Sequence, residues 1–239
     1  MTPGTFRLRV MYRKDDRLAF LGHIELINTI NRCVRRAQLP FRVGNGFARR
    51  MSVQFSQALP VGASSSCEYY DLALTERLDP SVALSLLQGA TPPALAPVRA
   101  SYVTETQGAL EAWLTRARWE VELVGSTCTP QDLTSRVAEV SSAGSITYLR
   151  GEKEKTLNLR EVLVGIFEVR LTDSGCAFVL DTRACPSGSL RPAVLVAATG
   201  LSCDSVRVRR TGQWHVERCG RRRAPRPSRR RHAPGIRPR

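Results

Sequence analysis

Two stretches decide the fold class: Phe6-Arg7-Leu8-Arg9-Val10-Met11-Tyr12, and the longer His23-Ile24-Glu25-Leu26-Ile27-Asn28-Thr29-Ile30-Asn31-Arg32-Cys33-Val34-Arg35-Arg36-Ala37. In the first, Phe6, Leu8, Val10 and Tyr12 alternate with Arg7, Arg9 and Met11. A period of two sends successive side chains to opposite faces, so the stretch is a half-exposed strand. In the second, Ile24, Ile27, Ile30, Val34 and Ala37 recur every three or four residues, which makes one apolar stripe on a helix. Arg32, Arg35 and Arg36 fall away from the stripe, and Pro40 closes the segment.

Outward from this pair the rhythm continues. Met51, Val53 and Phe55 alternate, Tyr69 to Leu74 reads as a strand, and Leu78 to Leu87 reads as a helix capped by Asp79 with Pro80 behind it. Val98 to Thr104 is a further strand. The second half follows suit. Trp119 to Val124 reads as a strand, Pro130 to Val140 as a helix capped by Thr129, and Ile146 to Leu149 as a short strand. Asn158 to Leu163 reads as a turn or a short helix. A hairpin turns at Asp173-Ser174-Gly175, Arg191 to Ala198 is helical, and Val206–Arg210 with Trp214–Val216 ends the body. The expectation is an α+β fold of two ferredoxin-like, βαββαβ-type units, with antiparallel sheets and helices packed on one face. The units span residues 6–105 and 106–217, and an Arg/Pro-rich tail over 218–239 is expected to be disordered. No residue-level repeat is visible, so duplication stays open.

The net charge of +15 is unevenly placed, because nine Arg and no acid lie between Arg221 and Arg239. Setting those nine aside leaves +6 for residues 1–220, an ordinary mildly basic body. The seven cysteines, Cys33, Cys67, Cys128, Cys176, Cys185, Cys203 and Cys219, contain no close pair of the kind that zinc and iron–sulfur sites draw on. Scattered thiols suit a reducing compartment, and no apolar run of eighteen residues interrupts the chain. The expectation is a cytoplasmic protein with no membrane span. Three histidines, His23, His215 and His232, leave few acid–base candidates, and no nucleophile elbow or HExxH helix is present. No set of residues looks like a self-sufficient catalytic centre.

Candidate binding residues cluster in the first half. His23 stands at a helix start with Glu25 beside it. Gly44-Asn45-Gly46-Phe47-Ala48-Arg49-Arg50 is a glycine-rich loop ending in two arginines, able to offer backbone N–H groups and guanidinium to a phosphate. Arg32, Arg35, Arg36 and Arg42 could join Arg49 and Arg50 in one basic patch. Against each stands a plainer reading: a structural histidine, a solvated loop, a solvated helix face. Arg150, Lys153, Lys155 and Arg160 form a second basic group, but Glu152 and Glu154 break it, and the mixture reads as an exposed turn.

The ordered motifs add up to a resemblance. Leu18-Ala19-Phe20-Leu21-Gly22-His23-Ile24-Glu25-Leu26, Arg35-Arg36-Ala37-Gln38-Leu39-Pro40, Gly46-Phe47, Ser52-Val53-Gln54-Phe55-Ser56-Gln57-Ala58-Leu59-Pro60-Val61-Gly62 and Glu68-Tyr69-Tyr70-Asp71-Leu72 resemble the radical-SAM-associated protein family. So do Arg150-Gly151-Glu152-Lys153-Glu154, Asn158-Leu159-Arg160 and Ser189-Leu190-Arg191-Pro192. That family is a bacterial domain of uncharacterised function found beside or fused to a radical SAM protein. Two departures stand out. Gly22-His23-Ile24-Glu25 replaces the family's Ser-His-Leu-Asp, and Ala48, Arg49, Arg50 and Met51 replace its Asn-Pro-His-Pro-Lys after Gly-Phe. The resemblance implies an accessory role beside a radical SAM partner, with S-adenosylmethionine and an iron–sulfur cluster held by that partner and none bound by this chain, which has no CxxxCxxC motif. Its setting suggests RNA or ribosome-related work. A stand-alone RNA-binding protein is the alternative, and an enzyme using His23 with Glu25 or Asp71 is the third reading. His23, Glu25, Gly46 and Phe47 are the residues the resemblance puts forward.

Overall fold

The computed structural model describes residues 5–44, 49–104, 107–185 and 188–216. Gly46, Phe47, the expected boundary at 105/106 and the Arg/Pro-rich tail lie outside these residues. Strand β1 (Phe6–Lys14) leads through a short 3-10 turn to helix α1 (His23–Arg36). Then come β2 (Val53–Phe55), β3 (Ala63–Leu74), α2 (Pro80–Ala90) and β4 (Pro97–Tyr102). A single-turn helix α3 (Leu110–Trp113) precedes β5 (Arg116–Val124) and α4 (Pro130–Ala143). A ribbon of β6 (Ser145–Arg150) and β7 (Lys153–Asn158) follows, then α5 (Leu159–Val162), β8 (Leu163–Thr172) and β9 (Gly175–Cys185). The two-residue β10 (Gly188–Ser189), α6 (Pro192–Thr199) and β11 (Ser205–Trp214) complete the described chain.

Several local signals act as the sequence suggests. The Asp79 carboxylate accepts the Ser81 N–H at 2.8 Å, and Thr129 Oγ1 accepts the Asp132 N–H at 3.1 Å. Each satisfies a helix-end donor that has no partner within the helix. The apolar stripe of α1 differs from its expected position. Leu26, Ile30, Cys33 and Val34 are buried, whereas Ile24 is 74% exposed. At the other end of the chain, the β8–β9 turn depends on Gly175, at φ +149°, where a Cβ would stand 2.1 Å from the Leu123 carbonyl oxygen.

In the first half the strands lie in the order β4-β1-β3-β2, every neighbouring pair antiparallel. The second half repeats this as β11-β5-β9-β8, again antiparallel throughout, with the β6–β7 ribbon inserted after α4. The repeat reaches single residues. Arg9 on β1 faces Asp71 on β3, with bonds of 2.7 and 2.9 Å. Arg118 on β5 faces Asp181 on β9 in the same two-bonded way, at 2.7 and 2.7 Å.

The halves do not carry separate sheets, as the sequence pattern suggests. Val208–Arg210 of β11 pairs in parallel with Ala63–Ser65 of β3, which fuses the two halves into one nine-stranded sheet. The physical reason is the length of β3. Its C-terminal half is edged by the three residues of β2, and its N-terminal half is left open for β11. A row of unpaired backbone groups on a buried strand must find partners. Two apolar cores remain distinct. Leu8, Val10, Ile30, Tyr70 and Leu87 belong to one, and Val121, Leu133, Phe178 and Leu195 to the other. Among the described residues no helix is long and apolar enough to cross a membrane.

Candidate functional site

The seam between the halves is held by a buried ion pair. Glu68 of β3 is 2% exposed and Arg210 of β11 is 3% exposed. Arg210 Nη1 donates to both carboxylate oxygens, at 3.0 and 3.1 Å, and to the Gln57 carbonyl at 3.1 Å. Ser56 Oγ and Gln213 Nε2 donate to the same carboxylate. The guanidinium lies 4.5 Å over the Trp119 ring, so its flat face is covered as well as its edge. Lys14 Nζ is nearby in charge. It donates to the Ala19 and Leu21 carbonyls, and burial pulls its pKa down while Glu68 opposes that shift. Cys67, beside Glu68, is pushed up to about 11, first by burial and then by that carboxylate, so its thiol is inert.

Above this seam opens a cleft of about 750 Å³. Its walls are the Gln57–Ala63 segment, the start of β5, the β6–β7 ribbon and residues 188–194 leading into α6. Arg116, Arg150, Lys155, Arg183, Arg191 and Arg210 line it. Glu111 is the one carboxylate among the described lining residues. Arg210 is committed to Glu68, but the other five cations form no ion pair among the described residues. Arg116 and Arg183 stand directly opposite each other on β5 and β9. Burial lowers the pKa of Arg116 and the like charge of Arg183 lowers it further, while the Asp181 carboxylate opposes both. Like charges opposed across a strand pair are destabilising, and the Asp181 carboxylate, two residues from Arg183 on the same face of β9, offsets part of that cost.

The ribbon contributes the feature that sequence reading misjudged. Cross-strand register pairs Ile146 with Leu157, Tyr148 with Lys155, and Arg150 with Lys153. These six side chains share one face, because alternate residues of a strand point the same way. Ile146 and Leu157 anchor that face in the core, and Tyr148, Arg150 and Lys155 line the cleft. Glu154 opposes Leu149 on the other face, and Glu152 sits in the turn after Gly151, at φ +63°. The acids therefore do not break the basic group; the pleat sorts them away from it. The alternation Lys153, Lys155, Leu157 carried this signal in a stretch too polar to register as a strand.

The expected site residues lie elsewhere. Glu25 accepts the Gly22 N–H at 3.0 Å, so it serves as the helix cap that glycine, lacking a side chain, cannot complete alone. The His23 ring meets Phe55 edge-on at 6.2 Å. Asp71, the other partner considered for His23, is held by Arg9. Arg32 and Arg35 are exposed on α1, and Arg36 donates to the Ala90 carbonyl at 3.4 Å. Arg42 donates to Thr5 Oγ1, while Arg49 and Arg50 are exposed beside the Val43–Met51 bridge. None of these nine residues lines the cleft. By contrast, three motifs of the resemblance do converge there: Gln57–Gly62, the ribbon from Arg150, and Ser189–Pro192.

Comparison with known proteins gives the class first. Residues 7–192 match the family described as "Uncharacterized protein conserved in bacteria (DUF2344)". The chain belongs to that family. No curated protein matches it. Among solved structures, a Cbf5-Nop10-Gar1 complex is similar at 13% identity and a TM-score of 0.42, over 86% of this chain and 48% of that one. An archaeal box H/ACA sRNP Nop10-Cbf5 complex is similar at 12% identity and a TM-score of 0.38, over 85% and 46%. An unknown protein from Galdieria sulphuraria matches at 11% identity and a TM-score of 0.28, over 89% and 99%. The chain thus spans about half the length of the first two.

Proposed function

We propose that this chain is a non-catalytic accessory module that holds RNA in its basic cleft for a radical SAM partner. The cleft carries the proposal: six cations and one carboxylate line its described walls, and five of those cations have no ion-pair partner among the described residues. A concave surface of one sign concentrates a polyanion and contacts its phosphates. The partner rests on the resemblance of the motifs, three of which meet at the cleft. S-adenosylmethionine and the cluster belong to that partner, and the work is cytoplasmic. The repeated order of strands and helices supports reading each half as a ferredoxin-like unit, a scaffold that carries nucleic-acid sites on its sheet and loops.

Affinity capture of the full chain from native cells after ultraviolet cross-linking tests this reading. The expected recovery is a radical SAM protein together with RNA attached to peptides from 148–157 or 188–194. RNA recovered without the enzyme favours a stand-alone RNA-binding protein, which the same cleft supports. Recovery of neither overturns the proposal.

A further inference from the structure

The cleft contains more than charge. Of its described aromatic side chains, Trp119 is 4% exposed and lies under Arg210, whereas Tyr148 is half-buried on the ribbon, with Lys155 directly opposite it. An aromatic face bordered by cations is how proteins hold unpaired bases: the ring takes the base and the cations track the phosphates. Arg150 lies two residues along the same face.

Size selects among nucleic acids. A volume of about 750 Å³ falls within the range of cavities that enclose a small ligand and matches a segment of single strand. An intact duplex presents its phosphates on a broad convex surface, and duplex readers spread their contacts over about 16 base pairs. Such a surface does not enter a concave site of this size.

We infer that the cleft is specific for single-stranded RNA, with one base stacked on Tyr148 and the flanking phosphates held by Arg150 and Lys155. The inference rests on the reading of the cleft as an RNA site and adds to it the strandedness and the stacking residue. The ribbon acts as an arm: Ile146, Leu157 and the half-buried Tyr148 pack on the core, and its cationic outer part closes one side of the strand's path.

The test is fluorescence anisotropy with the full chain, using a ten-nucleotide RNA and a blunt RNA duplex of equal phosphate number. The wild type, Tyr148→Leu, Tyr148→Phe and the double variant R150E/K155E are compared, each first checked by circular dichroism. Leucine keeps an apolar side chain without a ring, so a loss confined to it reports stacking. The single strand is expected to bind at least about tenfold tighter than the duplex, with Tyr148→Leu losing about tenfold and Tyr148→Phe staying within about twofold. If R150E/K155E lowers binding but Tyr148→Leu does not, or if the duplex binds equally well, the inference falls and the RNA-site reading stands. If neither RNA binds the wild type, that reading falls with it.

Discussion

Glu68 and Arg210 form the pair on which the seam depends, and neither has an alternative partner in water. A buried pair broken on one side leaves a bare charge in a low-dielectric interior. Arg210→Met is therefore expected to cost about 3–5 kcal/mol in urea unfolding, and the double variant E68L/R210M less than the two singles combined. Glu122 behaves differently because it is reachable by solvent. Ser174, Thr172 and then Arg207 hold its pKa below the ordinary 4.5. A depressed folded pKa contributes stability that is complete above the unfolded value and is lost as pH falls through the folded one. The melting temperature of Glu122→Gln should thus lie below that of the wild type at pH 7, and the gap should close as pH drops below about 4. The pair Arg9–Asp71 and its counterpart Arg118–Asp181 show why no repeat was visible in the sequence. The two halves share positions in space and one kind of contact, with different apolar residues around them.

At the level of elements, legibility followed the strength of local chemistry. α1, α2 and α4 were readable because a cap, a proline at the first turn or a clear apolar stripe marked them. Thr129→Ala, which removes such a cap, is expected to lower stability by about 1 kcal/mol, read from thermal unfolding. The first half of β3 and the whole of β7 were not readable. The first half of β3 is Ala-Ser-Ser-Ser-Cys-Glu, whose burial comes from β11 and β1 rather than from apolar side chains. The ribbon strand β7 is Lys-Glu-Lys-Thr-Leu-Asn, where only Leu157 is buried. Missing β7 meant missing the site, since the sorting of Lys155 from Glu154 exists only once the strand does. Glu154→Lys should accordingly leave RNA affinity within about threefold in anisotropy measurements, while Lys155→Glu lowers it about tenfold.

The whole molecule is one sheet with two cores, a consequence of long-range pairing that no local pattern announces. The three tryptophans, Trp113, Trp119 and Trp214, all lie in the second half, whereas backbone dichroism reports both. Because β11 joins the halves, urea transitions followed by tryptophan fluorescence and by far-ultraviolet dichroism should coincide. Two separated midpoints would mean that the parallel pairing and the Glu68–Arg210 pair do not couple the cores. The joined sheet also creates the cleft, whose walls come from both halves. That placement sets the cleft against the arginines of α1 as the RNA-binding surface. The direct measurement is the RNA dissociation constant of the full chain carrying R150E/K155E, compared with the full chain carrying R32E/R35E. The two changes are equal in charge, so the surrounding field falls equally in both. A cleft that binds RNA requires a loss of about tenfold or more in the cleft variant and less than about threefold in the helix variant. The opposite ranking, or equal losses, would contradict that placement.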